Sequence, residues 1–159
     1  MTGNRIALPS PVGLLCVTEE DGAITRLDWV GRSERGGRSE GGETPLLAAA
    51  RAQLDAYFAG TRSAFDLPLT PEGSAFQRAV CDAMRAIPFG ETRTYGEIAA
   101  ALGASAQAVG TACGGNPIPI LIPCHRVLGA ASLGGYSGAG GIETKVALLR
   151  LEGAAGLLI

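Results

Sequence analysis

The chemistry-bearing residues of this chain converge on one short stretch. Residues 117–127 read PIPILIPCHRV, and His125, which directly follows Cys124, is the only histidine among 159 residues. A thiolate is the nucleophile of cysteine chemistry, whereas a free thiol has a pKa of about 8.5, so a reactive cysteine needs an adjacent base or a positive field. The one neutral-pH base of the chain stands beside Cys124. The pair reads as nucleophile and base, or equally as a small buried hydrophobe next to a core histidine; residue types alone leave both open. Consecutive side chains of an extended strand point to opposite faces, so adjacency does not by itself bring imidazole to thiol.

The elements that must position this pair fall into two groups, and the sequence predicts domains at 1–69 and 70–159. Apolar stretches at Arg5 to Leu8, Leu14 to Thr18 and Ile24 to Val30 are separated by turn signals, a three-strand meander. Residues 31–44, GRSERGGRSEGGET, lack apolar side chains and read as a mobile loop. Thr44 and Pro45 open a helix whose Leu46, Leu47, Ala50, Leu54, Tyr57 and Phe58 recur at helical spacing up to Gly60. Phe65 to Leu69 predicts a short strand, and Pro68 and Pro71 mark the boundary.

The second group is mostly helical. Phe76, Val80, Met84 and Ile87 predict a helix from Ser74 to Ile87, stopped by Pro88. Thr94-Tyr95-Gly96-Glu97 is a capping box that opens a short helix ending near Gly103. A second short helix fits Ser105 to Cys113, and the two form either a helix-turn-helix or a simple packing pair. Pro117, Pro119 and Pro123 exclude a central strand and predict a buried, shaped wall leading to Cys124. A glycine-rich loop, Leu133 to Gly141, follows without Walker lysine or Rossmann spacing, which argues against a nucleotide cofactor. A last helix is predicted from Glu143 to Glu152.

Composition narrows the class further. The chain is 47% hydrophobic, enough for a packed core. No run approaches the roughly 18 apolar residues of a membrane span, and no leader pattern is present, so a cytoplasmic protein is expected. Cys16, Cys81, Cys113 and Cys124 form no CxxC pair, which leaves disulfides and a cysteine zinc site without support. Net charge is -2, and the part after residue 70 carries five Arg and one Lys against six acidic residues. Contact with a polyanion would rest on a local patch, backbone NH groups and helix N-termini, not on a general basic field.

NPIPILIPCHRV, SLGGYSG, the terminal Leu151-Glu152-Gly153 and, upstream, IPFGETRTYGEIAAALG resemble the O6-alkylguanine-DNA alkyltransferases, also called methylated-DNA-protein-cysteine methyltransferases, over about residues 74–153. The resemblance implies an α+β protein: a small N-terminal β-meander plus helix, RNase H-like, and a mostly helical C-terminal domain holding a helix-turn-helix and the active-site cysteine. It implies that Cys124 accepts an alkyl group from O6 of guanine in double-stranded DNA, with His125 acting through water as base and Glu152 orienting the imidazole. Asn116 would brace the active-site turn. Tyr95, Tyr136, Ser137 and the backbone of Val127 would hold the extruded base, and Arg93, Gln107, Ala108 and Thr111 would contact DNA, the second helix lying in the minor groove.

The same resemblance implies no cofactor and no metal, since residues 1–70 contain no histidine for the family's occasional zinc site. A monomer without membrane contact is expected, reacting once because a thioether is not reversed by thiol exchange. One position departs from the family pattern. Gln107 stands where an arginine usually precedes Ala-Val-Gly, which predicts weaker DNA binding. Two alternatives carry different chemistry: a lesion-binding alkyltransferase-like protein without repair, and a Cys/His hydrolase, which would need an oxyanion hole.

Overall fold

The computed structural model describes residues 4–30, 42–130, 132–136, 138 and 140–154. Two compact units divide the chain, Met1–Pro71 and Glu72–Ile159.

In the first unit, strands β1 (Asn4–Ser10), β2 (Gly13–Glu20) and β3 (Ala23–Trp29) form an antiparallel meander in the order β1-β2-β3. The second turn shows why these residues reverse the chain. Asp21 and Gly22 both have positive φ, 52° and 79°, the primed-turn geometry whose twist matches that of the flanking strands. Ile6, Leu8, Leu15, Val17, Ile24 and Leu27 are buried from this sheet. Helix α1 (Pro45–Phe58) covers β1 and β2 with Leu47, Ala50, Leu54 and Tyr57, and its N-terminus is capped by the Thr44 hydroxyl, which accepts from the Leu47 amide at 3.1 Å.

Phe65 to Leu69 does not form the predicted strand. Only Leu69 bridges to Ile24, through Ile24 N–H to the Pro68 carbonyl and Thr70 N–H to the Ile24 carbonyl. Pro68 and Pro71 have no N–H to extend the ladder. Residues 31–41, most of the predicted loop, lie outside the described residues.

The second unit opens with α2 (Ala75–Arg85), capped by Ser74 and buried through Val80, Cys81 and Met84. The capping box of α3 (Tyr95–Leu102) is complete: Glu97 N–H donates to the Thr94 hydroxyl at 3.0 Å and Thr94 N–H to the Glu97 carboxylate at 2.8 Å. Gly103, at φ 66° and ψ 38°, ends the helix in the left-handed conformation that glycine adopts without a Cβ penalty. Ser105 then caps α4 (Ala106–Gly114), which packs against α3 and α2. After one 3-10 turn, Cys124–Arg126, a two-residue strand β5 (Val127–Leu128) pairs in parallel with β4 (Arg93–Thr94), a pairing too short to leave a sequence pattern. Helix α5 (Ile142–Leu151) closes the unit. No helix among the described residues is long and apolar enough to cross a membrane.

Candidate active site

The prolines of PIPILIPCHRV and Asn116 shape the approach to Cys124. The Asn116 side chain is buried and bridges the turn, accepting from Ile118 N–H at 3.0 Å and donating to the Ile122 carbonyl at 2.9 Å. Ile122 N–H in turn reaches the Ile118 carbonyl at 2.8 Å. This ring of bonds holds Ile120 at φ 73°, a conformation a β-branched residue adopts only when its surroundings impose it. Asn116→Ala leaves buried backbone groups without partners, a cost of about 1–3 kcal/mol. The expected result is a lower urea midpoint at unchanged slope together with slower chemistry at Cys124; a midpoint equal to that of the unsubstituted chain counts against the bracing role.

A 3-10 turn, not an extended strand, carries the pair. Cys124, His125 and Arg126 no longer alternate as in a strand, and all three are buried. His125 Nε2 lies 2.6 Å from Glu152 Oε2 at the C-terminus of α5. Burial is the main influence on His125 and lowers its pKa, with Glu152 working in the opposite direction, so the imidazole is neutral near pH 7. Against a carboxylate the neutral ring carries its proton on Nε2, which assigns the lone pair to Nδ1. Nδ1 is buried and has no hydrogen-bond partner among the described residues.

Arg126 was not singled out in the sequence, yet it fixes the same carboxylate. Its Nε donates to Glu152 Oε1 at 2.7 Å, Nη2 to Oε2 at 3.0 Å and Nη1 to the Ile87 carbonyl at 2.6 Å, while the guanidinium lies 5.9 Å from the centre of the Phe89 ring. Glu152 therefore receives a fork from arginine and a third bond from histidine. A bidentate guanidinium compensates the buried carboxylate in charge as well as geometry.

Lys145, the only lysine of the chain, is the second residue the sequence reading missed. It is fully buried on α5 among Leu148 and Leu149, and its Nζ donates to the carbonyls of Val127 at 2.6 Å and Gly135 at 3.0 Å, 5.8 Å from the centre of the Tyr95 ring. A lone lysine on the apolar stripe of an otherwise ordinary amphipathic helix was the available signal. Burial lowers its pKa to about 8, partly offset by Cys124 and Cys113. Burial raises Cys124 to about 11 even against the Asn116 hydrogen bond and the Lys145 charge, the leading influences that lower it.

A cavity of about 470 Å³ opens on the thiol, lined by Tyr95, Gly110, Cys113, Gly114, Cys124, Gly135 and Tyr136. Tyr95 reaches it across Gly134, where φ is 72° and an added Cβ would stand 2.7 Å from the phenol oxygen, so this approach requires glycine. The structure thus brings Cys124, Tyr95 and Tyr136 to one cavity, with His125, Glu152 and Asn116 behind it. Cys113, which the sequence did not single out, borders it too. Val127 is buried, its N–H bonded to the Cys124 carbonyl and its carbonyl accepting from Lys145. Ser137 lies outside the described residues. On α4, Gln107 and Thr111 are exposed one turn apart and Ala108 is half-buried. Arg93 is half-buried and paired with Glu91 at 3.2 Å. Among the described residues no group of three or more His, Cys, Asp or Glu could hold a metal ion.

Comparison with known proteins matches this geometry to one family over nearly the whole chain. The 6-O-methylguanine DNA methyltransferase ribonuclease-like domain matches residues 6–71 and the DNA-binding domain of the same methyltransferase matches residues 75–154. The chain belongs to the 6-O-methylguanine DNA methyltransferase family. It is 46% identical over 151 residues to the constitutive methylated-DNA–protein-cysteine methyltransferase of Bacillus subtilis, covering 90% of this chain and 91% of the relative. The methylated-DNA–protein-cysteine methyltransferase of Mycolicibacterium paratuberculosis is 48% identical over 147 residues, 90% of this chain and 88% of the relative. Among solved structures, Mycobacterium tuberculosis O6-methylguanine methyltransferase superposes with a TM-score of 0.83 at 40% identity, covering 97% and 94% of the two chains. Mycobacterium tuberculosis OGT in complex with DNA gives 0.81 at 44% identity, covering 95% and 93%. The α+β architecture and the ribonuclease-like first unit expected from the sequence hold.

Proposed function

We propose that this methyltransferase repairs double-stranded DNA by taking the alkyl group of O6-alkylguanine onto Cys124. The observation that carries the reading is the placement of Cys124 on a cavity with a neutral, carboxylate-anchored histidine behind it and a buried ammonium beside it. His125 Nδ1, its lone pair set by the Nε2–H to Glu152, takes the thiol proton through an intervening water. The sulfur forms a bond to the alkyl carbon as the carbon–O6 bond breaks, and guanine leaves with the electron pair and picks up a proton. The product is a thioether, which thiol exchange does not reopen, so each molecule reacts once.

O6 of a paired guanine is enclosed by the stack, so the base must be extruded into the cavity. Tyr95 and Tyr136 wall the pocket that receives it. Helix α4 enters the minor groove, its small residues and the exposed Gln107 and Thr111 facing DNA, and the degenerate pattern there makes binding largely independent of sequence. Arg93 adds a phosphate contact. The protein acts as a monomer in the cytoplasm, the first unit serving as a structural domain.

Mass spectrometry of the protein after incubation with a duplex containing O6-methylguanine tests the reading. One methyl on Cys124 per molecule is expected; binding without modification assigns the chain a sensing role, and modification elsewhere rejects Cys124. Gln107→Arg is expected to tighten DNA binding several-fold and to make the dependence of log K on log salt steeper by about one. An unchanged affinity and salt slope would show that this position does not face the backbone.

A further inference from the structure

Cys113 is a buried thiol for which the transfer reaction has no use. It lies near the end of α4, is 5% exposed, and borders the same cavity as Cys124 with only glycine, Gly110 and Gly114, as cavity-lining neighbours on its own helix. We propose that Cys113 is a second alkylation site of this cavity, which captures two-carbon groups that reach Cys124 still bearing a leaving group and closes a Cys124–CH2–CH2–Cys113 bridge. The proposal rests on Cys124 being the alkyl acceptor. Its substrates are vicinal dihaloethanes and O6-(2-haloethyl)guanine.

The steps balance without oxidant or reductant. Cys124 Sγ bonds to one carbon while the first halide, or guanine O6, departs with its electron pair. The neutral thioether sulfur then displaces the second halide and forms a three-membered episulfonium ring. Cys113 Sγ attacks a ring carbon, one of the two bonds to the Cys124 sulfur breaks to neutralise the cation, and the Cys113 proton passes to water.

Burial beside Cys124 and Lys145 explains why capture follows the first transfer. Burial chiefly, and then the Cys124 charge, raise the Cys113 thiol to about 12, while Lys145 acts in the opposite direction. Once Cys124 is a thioether it can no longer ionise in competition with Cys113, and Lys145 is left with Cys113 as its thiol neighbour. Water and DNA groups compete for the same ring, but Cys113 already stands at the cavity wall.

The reduced full-length protein treated with 1,2-dibromoethane and digested with trypsin tests this. No Lys or Arg lies between Arg93 and Arg126, so both thiols fall in one peptide, residues 94–126. The expected product gains an ethylene unit less two hydrogens, with fragmentation silent between Cys113 and Cys124. Cys113→Ala and Cys113→Ser should carry a 2-hydroxyethyl group on Cys124 instead. Prior methylation by an O6-methylguanine duplex should suppress the bridge. Unsubstituted protein with hydroxyethyl-Cys124 and a free Cys113 thiol, an unmodified Cys124, or a bridge to another cysteine overturns the proposal. Failure of the duplex to methylate Cys124 defeats the repair reading separately, because the dibromoethane arm requires no DNA.

Discussion

Glu152→Ala is expected to lower the stability of the chain by about 3–5 kcal/mol, because it strands the buried Arg126 guanidinium without its charge partner. The fork at 2.7 and 3.0 Å disappears, and Arg126 keeps the Ile87 carbonyl and the Phe89 ring but no charge partner. The change also removes the acceptor that keeps the His125 proton on Nε2, 2.6 Å away, so the wrong ring nitrogen can face the thiol. Among molecules that remain folded, transfer should slow by about 10²- to 10⁴-fold. Glu152→Gln separates the two effects. It preserves one acceptor for histidine but not the charge, so its loss of stability should be the smaller while the transfer rate still falls. Urea denaturation and single-turnover transfer from an O6-methylguanine duplex measure both; a Glu152→Ala protein as stable and as fast as the unsubstituted chain would dismiss the carboxylate as an organiser.

Lys145→Met is expected to slow transfer at neutral pH by about 10- to 100-fold, equivalent to raising the pH at which the Cys124 thiolate forms by about one to two. The methionine fills the same space but supplies no positive field to a thiol that stands near 11 even with that field present. The pH profile distinguishes this from mere loss of packing. Unsubstituted protein should gain rate with pH more gradually above about 8, where Lys145 sheds its proton and its help with it. The variant should lack that inflection and rise only at higher pH. A uniformly scaled profile would instead make Lys145 a packing residue that closes on the Val127 and Gly135 carbonyls.

The same group links stability to pH, with a sign that can be checked. Lys145 has a folded pKa of about 8 against an ordinary value of 10.5, so between these the unfolded chain binds more protons and stability rises with pH. Cys124, raised from 9.0 to about 11, acts oppositely above 9, where the folded chain is the one that retains a proton. The gain from Lys145 is therefore cleanest between about 8 and 9. Lys145→Met should flatten the rise in that window.

Local rules carried much of the architecture. Thr44, Ser74, Thr94 and Ser105 were legible as helix starts because capping is a contact between residues three apart, and each cap forms as the pattern predicts. The failed strand at Phe65 to Leu69 shows the limit of the same approach, since Pro68 within it and Pro71 just after it have no N–H with which to extend a ladder. The parallel pairing of β4 with β5 joins residues 93–94 to 127–128 through two positions each, too few for any periodicity.

What the sequence alone determined about this protein is the identity of its chemistry: one histidine, set beside a cysteine after a proline-rich run, with the motifs that place the pair in its family. The tertiary structure decided which charges govern that chemistry. Arg126 and Lys145 read as ordinary basic residues until folding buries them, because a side chain's electrostatic role depends on the dielectric around it and on partners far away in sequence: Glu152 lies 26 residues from Arg126 and Val127 lies 18 from Lys145. Cys113 belongs to the same class. Only the packing of α4 brings a second thiol to the cavity in which the first one reacts.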